Sequence, residues 1–348
     1  MTTPEKYMAR CIELAKLGAG NVSPNPMVGC VIVCDDKIIG EGYHQKYGEA
    51  HAEVNAINSV VHPGDLKNST IYVSLEPCAH FGLTPPCSDL IVQKQIPRVV
   101  IGSIDPFAKV AGKGIKRLIQ AGIDVKVGIL DKECNELNKR FFTFHEKKRP
   151  YVILKWAQTL DGFIDIDRSS QYYGEPTWIT GSKALLRVHK MRAEEDAILV
   201  GTNTAEKDNP SLTVRHCEGK NPLRVVTDKN LRLNKNLHLF DNSTPTLVFN
   251  SEKNGIEDQT EFVQIDFNRN VLAQILKTLH KKNCLSVIIE GGKQMLESFI
   301  SENLWDEAHV FTGNKNFKRG ISAPQLPGTP VSTEKIETDE LSVFRNNL

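Results

Sequence analysis

The order of apolar and polar residues along the chain predicts alternating helices and strands. Met8, Cys11 and Ile12 recur at helical spacing, and Thr3-Pro4 before them is a typical helix start. Short apolar runs bounded by Gly, Pro, Asn or Asp predict buried strands. In the first part of the chain these runs cover residues 28–33, 37–41, 71–75, 98–102 and 123–127.

Helical patterns lie between these predicted strands. Val54, Ile57 and Val61 predict a helix whose first turn contains His51, and one helix is predicted from Cys134 to Phe142. Strands that alternate with helices are typical of an α/β domain with helices on both faces of the sheet. The first part of the chain is therefore expected to form such a domain.

A second α/β domain is predicted after a short basic run, Lys147-Lys148-Arg149-Pro150. We place the boundary there, so that the domains cover residues 1–146 and 147–348. Each is long enough to bury a core of its own. Apolar runs in the second domain predict strands at residues 151–157, 197–201, 223–227, 246–250 and 286–290, with helices at 183–192 and 271–279.

Composition narrows the classes of function. The chain has 348 residues, 40% hydrophobic and 24% charged, and a net charge of +1, which does not favour a nucleic-acid partner. No apolar run approaches membrane-spanning length. Eight cysteines without a signal-peptide pattern indicate a reducing compartment. We therefore expect a cytoplasmic protein that binds neither nucleic acid nor membrane.

The first domain carries one imidazole and two thiols in a pattern typical of zinc sites. His51, Cys78 and Cys87 give three ligands, the number found in catalytic zinc sites that keep a position for water. Glu53 follows the histidine by two residues and is free to move protons, as in the zinc deaminases. Two alternatives are a buried core histidine with apolar cysteines, and a structural zinc site with a fourth protein ligand. The long gap between the cysteines indicates a subgroup of the deaminases.

The second domain carries weaker signals for an anion or nucleotide site. Glu290-Gly291-Gly292 follows a predicted strand and precedes a helix, where backbone N–H groups can bind phosphate. Residues 201–204 form a similar turn with hydroxyl and amide groups. Trp178 is as easily explained by core packing as by a ligand. Arg192 and Arg215 could equally be solvated surface charges.

With these motifs in hand, nearly the whole chain resembles the bifunctional riboflavin-biosynthesis family that joins a pyrimidine deaminase to a reductase. The first domain matches that family at Pro24-Asn25-Pro26, His51-Ala52-Glu53, Glu76-Pro77-Cys78 and Thr84-Pro85-Pro86-Cys87. The second domain matches it at Leu160-Asp161-Gly162, Trp178-Ile179-Thr180, Asp208-Asn209-Pro210 and Glu290-Gly291-Gly292.

The resemblance implies a fold and a pair of reactions. A cytidine-deaminase-like three-layer α/β/α domain would precede a dihydrofolate-reductase-like α/β domain. The first would use Zn²⁺ to deaminate a phosphoribosylaminopyrimidine, specifically 2,5-diamino-6-(5-phosphoribosylamino)pyrimidin-4(3H)-one. The second would use NADPH to reduce the ribosyl side chain to ribityl. The family also implies a homo-oligomer, either a dimer or a tetramer.

The resemblance further assigns roles to single residues. It implies that Glu53 and Lys155 take part in catalysis, and that His51, Cys78 and Cys87 bind the metal. The implied cofactor-binding residues are Ala157, Trp178, Thr204, Asp208, Lys229, Gly292, Lys293, Gln294, Met295 and Leu296. Lys229 is the candidate for contact with the 2′-phosphate of NADPH. The implied substrate-binding residues are Asn25, Arg192, Leu212, Arg215 and Glu290.

Some positions depart from the family pattern, and two rival functions share part of the signal. The departures are Ala79, Leu83, Phe107, Ala108, Pro176 and Lys229, and the first three bear on how the deaminase site holds ribose phosphate. A nucleic-acid or nucleoside deaminase would share the zinc ligands, but it would favour a basic surface. A zinc-stabilised binding protein would have no use for Glu53.

Overall fold

The computed structural model describes residues 2–79, 81, 85–107, 111–167 and 177–346. Four residues that were named above for their match to or departure from the family pattern lie outside these ranges: Leu83, Thr84, Ala108 and Pro176. The chain divides into two compact units, Met1–Lys148 and Arg149–Leu348. The sequence had suggested a division two residues earlier, in the same basic run.

The first unit is a three-layer α/β/α structure. Its sheet has the order β2-β1-β3-β4-β5, with β1 antiparallel to both neighbours and β3, β4 and β5 parallel. The elements are α1 (Thr3–Lys16), β1 (Gly29–Cys34), β2 (Lys37–Tyr43), α2 (Ala52–Asn58), β3 (Thr70–Leu75), α3 (Cys87–Gln93), β4 (Arg98–Ser103), α4 (Lys113–Gln120), β5 (Asp124–Val127), α5 (Asp131–Leu137) and α6 (Lys139–Lys147).

Helices cover both faces of this sheet, as the alternating pattern predicts. One core joins the sheet to α2, α3 and α4 through Ile57, Ile91 and Leu118, all buried. The other joins it to α1 and α5 through Met8 and Cys134. Because β3 and β4 are parallel, the loops that leave their carboxyl ends lie at one edge of the sheet, where sites in α/β proteins usually form.

Two sequence-based details of this unit are wrong for identifiable reasons. The single helix predicted from Cys134 to Phe142 is two helices that meet at Asn138. The Asn138 amide accepts the Met27 N–H and donates to the Met27 carbonyl, both at 2.8 Å, so a long-range contact accompanies the break. Val61 is 80% exposed and lies beyond the end of α2, so its place in the helical pattern was coincidental.

The second unit is built on a long mixed sheet. The strand order is β11-β12-β10-β9-β8-β13-β6-β14-β17-β16, parallel from β12 to β14, and a separate pair joins β15 to β7. The elements are β6 (Tyr151–Thr159), β7 (Phe163–Asp165), α7 (Ser182–Glu194), β8 (Ala197–Gly201), α8 (Thr202–Asp208), β9 (Leu223–Thr227), β10 (Thr246–Asn250), β11 (Gly255–Glu257), β12 (Thr260–Gln264), α9 (Val271–Lys281), β13 (Ser286–Ile289), α10 (Lys293–Ser301), β14 (Glu307–Gly313), β15 (Ile321–Ser322), β16 (Ser332–Ile336) and β17 (Asp339–Arg345).

The central strands of this sheet are apolar because both of their faces are covered. Every residue of β13 is buried, and β8 is buried up to its last residue. Their parallel alignment brings the residues that follow β8, β9 and β13 to one edge. Helix α8 begins directly after β8, so a helix N-terminus lies at that edge. No helix within the described ranges is long and apolar enough to cross a membrane.

Candidate active sites

The first candidate site brings together the three residues that the sequence identified as metal ligands. His51 directly precedes α2, Cys78 lies in the loop after β3, and Cys87 is the first residue of α3. His51 Nδ1 is 3.6 Å from Cys78 Sγ and 3.3 Å from Cys87 Sγ. The ligand atoms of all three lie within 4.8 Å of one another. Three separate elements thus converge on one point.

These separations fit a tetrahedral zinc ion. Bond lengths of about 2.3 Å for Zn–S and about 2.0 Å for Zn–N place ligand nitrogen and sulfur atoms roughly 3.5 Å apart around one ion. The two observed nitrogen–sulfur distances, 3.6 and 3.3 Å, bracket that value. The described residues supply three ligands, which leaves one position for water. This matches the arrangement of a catalytic zinc site and does not match a closed structural one.

The two cysteine thiols differ in pKa. A hydrogen bond from the Cys87 side chain, together with the nearby His51 ring, holds the pKa of Cys78 well below its ordinary value. The Cys87 backbone N–H also donates to Cys78 Sγ at 3.3 Å. The site therefore stabilises thiolate character at Cys78, and a thiolate is the form that binds zinc.

Glu53 lies in the first turn of α2 and is only 3% exposed. Burial, with a smaller contribution from Cys78, raises the pKa of Glu53 to about 7. A carboxyl that titrates near neutrality can both accept and donate a proton at working pH. It lies beside the metal ligands without being one of them, and its role as a proton carrier stays a prediction.

A buried histidine that the sequence analysis did not single out lies beside this cluster. The His44 ring is 5.3 Å from the His51 ring, edge to face. Its Nδ1 lies 3.1 Å from the Ala50 carbonyl, so this nitrogen carries the proton and Nε2 accepts from Asn25 Nδ2 at 3.0 Å. His44 thereby orients the Asn25 amide. In the sequence His44 is a single polar ring three residues beyond the predicted second strand, a position that carries no functional signal by itself.

Glu76 binds the backbone at the start of α4 and is not one of the three metal ligands. Its carboxylate accepts backbone N–H groups from Gly112 at 2.9 Å, Gly114 at 2.9 Å and Ile115 at 3.2 Å. This buried carboxylate satisfies the N-terminus of α4. In the neighbouring loop Phe107 packs its ring 4.9 Å from that of His145. An aromatic contact thus involves one of the positions at which the sequence departs from the pattern of the family it resembles.

The second candidate site is a cavity of about 860 Å³ at the carboxyl edge of the long sheet. Many of the cofactor and substrate residues predicted from the sequence line it. These are Lys155, Ala157, Thr204, Asp208, Glu290, Gly292, Lys293, Gln294, Met295 and Leu296. Pockets for ligands of moderate size range from about 300 to 1,000 Å³, so this cavity is large enough for an extended ligand.

The turn before α10 is shaped for close approach by a ligand. Gly292 has a φ of +65°, and a β-carbon there would lie 3.0 Å from Thr204 Oγ1. A β-carbon on Gly291 would lie 2.9 Å from Val200. Both positions therefore require glycine, one for its backbone conformation and one for space. The following helix points its N-terminus at the cavity, which favours an anionic group such as phosphate.

A buried carboxylate lies between two cations in this site. Arg192 binds Glu290 through two hydrogen bonds, Nε to Oε1 at 3.1 Å and Nη2 to Oε2 at 2.7 Å. Lys155 Nζ lies 3.9 Å from Glu290 Oε1. Burial alone would raise the pKa of Glu290, but the charges of Arg192 and Lys155 lower it to about 2. Glu290 is therefore an anion throughout the neutral range.

Five predicted residues do not line the cavity. Arg192 is buried against Glu290, and Leu212 is buried with a φ of +54°. Arg215 is exposed, with its Nη1 3.5 Å from Thr213 Oγ1. Trp178 is 55% exposed, so it is not a core residue. Lys229 is exposed and points its ammonium toward the ring of Phe267, at 6.0 Å.

Arg232 is a cavity residue that the sequence analysis missed. Both carboxylate oxygens of Asp228 accept backbone N–H groups, from Arg232 at 3.1 Å and Leu233 at 3.0 Å, which fixes the turn after β9. The Arg232 guanidinium then reaches Asn203 Oδ1 at 2.8 Å and Glu206 at 3.0 Å. The signal was a cation five residues beyond the predicted strand that ends at Thr227, three residues past Lys229.

Two family models match the chain. The model described as "Cytidine and deoxycytidylate deaminase zinc-binding region" matches residues 1–103, which include the metal ligands. The model described as "RibD C-terminal domain" matches residues 150–317, which include the turn before α10. The two candidate sites thus fall in regions similar to different families.

Curated proteins and solved structures match over almost the full length. The riboflavin biosynthesis protein RibD of Aquifex aeolicus is 39% identical, over 92% of this chain and 90% of that protein. RibD of Escherichia coli is 36% identical, over 93% and 91%. The crystal structure of a Thermotoga maritima diaminohydroxyphosphoribosylaminopyrimidine deaminase/5-amino-6-(5-phosphoribosylamino)uracil reductase superposes with a TM-score of 0.89 at 38% identity, covering 99% and 98%. RibD of Acinetobacter baumannii gives 0.87 at 32% identity, with the same coverage.

Proposed function

Because this chain belongs to the RibD family of bifunctional deaminases and reductases of riboflavin biosynthesis, we propose a set of residues for each of its two reactions. The deaminase reaction belongs to the first unit and the reduction to the second. Neither a nucleic-acid deaminase nor a non-catalytic zinc protein accounts for both halves of the match. The proposed substrate of the deaminase is 2,5-diamino-6-(5-phosphoribosylamino)pyrimidin-4(3H)-one, as the name of the Thermotoga enzyme suggests.

In the first unit, His51, Cys78 and Cys87 hold a zinc ion. The observation that supports this most strongly is the convergence of their ligand atoms within 4.8 Å beside the buried Glu53. When bound, the ion supplies a nucleophilic water at neutral pH. In the reaction the water oxygen bonds to the ring carbon that carries the amine, and ammonia leaves.

Glu53 carries the protons of this reaction. It takes one proton from the attacking water and delivers it to the ring nitrogen, and it then carries the second proton of that water oxygen to the amine, which leaves as ammonia while the carbonyl forms. One carboxyl can serve all of these transfers because its pKa, raised by burial to about 7, is close to working pH. Asn25, oriented by His44, donates an amide hydrogen bond to the ring or ribose of the substrate.

Ammonia release tests the deaminase assignment. The diaminopyrimidine substrate is incubated with the enzyme, with enzyme stripped by a chelator, and with stripped enzyme given Zn²⁺. We expect activity to disappear on stripping and to return with one zinc per chain. Full activity in protein shown by metal analysis to lack zinc would contradict the assignment.

In the second unit, we propose that the 860 Å³ cavity binds NADPH with the phosphosugar substrate beside it. The glycine turn before α10 suits the cofactor pyrophosphate, Thr204 Oγ1 lies next to that turn, and Asp208 also lines the cavity. When bound, NADPH supplies a hydride to the first carbon of the ribosyl chain. Lys155 donates the proton that the adjacent nitrogen or oxygen must gain, and burial lowers the pKa of Lys155, which favours proton release.

Glu290 fixes the substrate hydroxyl groups as a hydrogen-bond acceptor. Arg192 contributes to the substrate site through Glu290, because both of its outer guanidinium edges are already engaged, with Glu290 and with the Thr213 carbonyl at 3.2 Å. Arg215, which is exposed, then binds the substrate phosphate. Leu212 fixes the start of this loop by burial.

Recognition of the 2′-phosphate of NADPH requires a cation near the adenosine. Lys229 is the candidate from the sequence, and Arg232, which lines the cavity, is the stronger one by geometry. A guanidinium can bind phosphate with two hydrogen bonds. Trp178, beside the cavity residues Thr177 and Ile179, is proposed to cover the nicotinamide.

The reductase assignment is tested with the deaminated substrate. Lys155→Met should abolish NADPH oxidation while leaving NADPH affinity unchanged in a fluorescence titration. If the variant binds NADPH more weakly but oxidises it at the normal rate when NADPH is saturating, the role given to Lys155 is contradicted.

We also propose that the enzyme is cytoplasmic and that it assembles as a dimer or tetramer. Light scattering on the purified chain would measure the assembly.

A further inference from the structure

Helix α7 carries a buried histidine that neither proposed reaction uses. His189 is fully buried and lies three residues before Arg192 in the same helix, so the two side chains share one face. That face points at the loop of residues 212–216, which carries the proposed phosphate-binding Arg215. The pair therefore connects the helix to the loop at two points.

The contacts of His189 with this loop are specific. Its Nδ1 accepts the backbone N–H of Arg215 at 3.1 Å. Its ring meets the ring of His216 edge to face, with centroids 4.5 Å apart. Two residues before Arg215 in the loop, the carbonyl of Thr213 accepts a hydrogen bond from Arg192 Nη1 at 3.2 Å. The loop is thus held by its backbone on both sides of Val214.

Only one of the two nitrogens of the His189 ring is hydrogen-bonded to the described residues. Because Nδ1 accepts, the neutral ring carries its proton on Nε2, and that buried atom has no hydrogen-bond partner among the described residues. A buried unsatisfied donor is uncommon and requires an explanation. Burial and the charges of Arg192 and Arg215 lower the pKa of His189 to about 4. The ring therefore stays neutral, and Nδ1 stays an acceptor, at working pH.

We propose that His189 is a positioning residue for substrate binding in the reductase site, holding the backbone of Arg215 so that its guanidinium meets the substrate phosphate. This rests on the proposed role of Arg215. Leu212, buried with a φ of +54°, fixes one end of the same loop. Arg192 ties the same loop to Glu290, so the loop links the proposed phosphate-binding end of the site to the proposed sugar-binding end.

The test uses substitutions that differ in one property. His189→Asn keeps an acceptor close to the place of Nδ1, whereas His189→Leu has nearly the same shape without an acceptor. His189→Gln carries its amide farther out, and it replaces the leucine variant in the comparison if that variant does not fold. Lys190→Ala, on the exposed side of the same helix, is the control. The full-length zinc-loaded enzyme is used throughout.

We expect His189→Leu to weaken binding of the deaminated substrate by about threefold to tenfold, the contribution of one hydrogen bond. KM should rise by a similar factor, with kcat and NADPH affinity within about twofold of the parent. His189→Asn should restore binding, and Lys190→Ala should change nothing. Equal weakening in the asparagine and leucine (or glutamine) variants would overturn the proposal, since the acceptor would then be irrelevant.

A double-mutant comparison separates this proposal from the role of Arg215. Arg215→Ala alone should weaken substrate binding by about tenfold to a hundredfold, as loss of a charge-assisted contact does. Adding His189→Leu to it should then weaken binding little further. A full additional loss would overturn positioning through Arg215. If Arg215→Ala itself has no effect, the phosphate assignment fails instead, and with it this proposal.

Discussion

Breaking the buried contact between Arg192 and Glu290 should strongly destabilise the second unit. Both side chains are less than 10% exposed, at 9% and 8%, and two hydrogen bonds join them. Glu290→Gln removes the charge but keeps the shape. It leaves the Arg192 guanidinium buried opposite a neutral amide, and breaking a buried pair in this way typically costs about 3–5 kcal/mol.

The pKa of Glu290 gives an independent magnitude. A fall from 4.5 to about 2 corresponds to roughly 3 kcal/mol of differential stabilisation of the charged form, at about 1.36 kcal/mol per unit. Because the folded-state pKa is the lower one, this stabilisation is present above pH 4.5 and is lost as the pH falls toward 2. The parent should therefore lose stability over that range, and Glu290→Gln should lose less.

Urea denaturation followed by a probe in the second unit is the assay, at pH 7 and at steps down to pH 3. The exposed pair Lys235–Glu257, with side chains 82% and 48% exposed, provides the control substitution Glu257→Gln. Such exposed pairs contribute about 0–1 kcal/mol. A Glu290→Gln variant as stable as the Glu257→Gln variant would refute the reasoning that burial makes this pair strong.

Three further predictions concern the metal, the cofactor and one histidine. Cys87→Ala should lose zinc by metal analysis, and full occupancy in that variant would exclude Cys87 as a ligand. Arg232→Ala should weaken the binding of 2′,5′-ADP by about tenfold or more without changing the affinity for ADP. Lys229→Ala should have a smaller effect on the binding of 2′,5′-ADP. The reverse order in a calorimetric titration would favour Lys229. His189→Asn should flatten the fall in stability between pH 6.5 and 4, since only the parent folds with a histidine whose pKa is depressed to about 4.

The metal site was predictable from sequence because its information is local. His51 and Glu53 lie two residues apart at a helix start, and Cys87 opens the next helix after the strand that leads to Cys78. Proximity in the fold then follows from short connections. His44 escaped notice because a single polar residue after a strand carries no signal until its partners Asn25 and Ala50 are in place.

The second site was less predictable because its contacts are distant in sequence. Arg192 and Glu290 are 98 residues apart, and nothing local to either distinguishes a buried pair from two solvated charges. The same holds for Arg224, which is fully buried and paired with Asp241, although nothing in the neighbouring sequence distinguishes it from a solvated arginine. Strand β16 was missed because most of its residues are exposed and polar, so it lacks the apolar alternation of a half-buried strand.

The central claim is that each reaction has a complete site within its own unit. The most direct test is Glu53→Gln, which keeps the shape of the side chain but removes the proton carrier. Ammonia release and NADPH oxidation are assayed separately, the second with substrate that is already deaminated, and zinc content is measured in parallel. We expect deamination to fall by about four orders of magnitude, the upper end for positioned acid–base catalysis, with zinc content and reduction unchanged. A parallel fall in both activities, with folding and zinc preserved, would contradict independent sites.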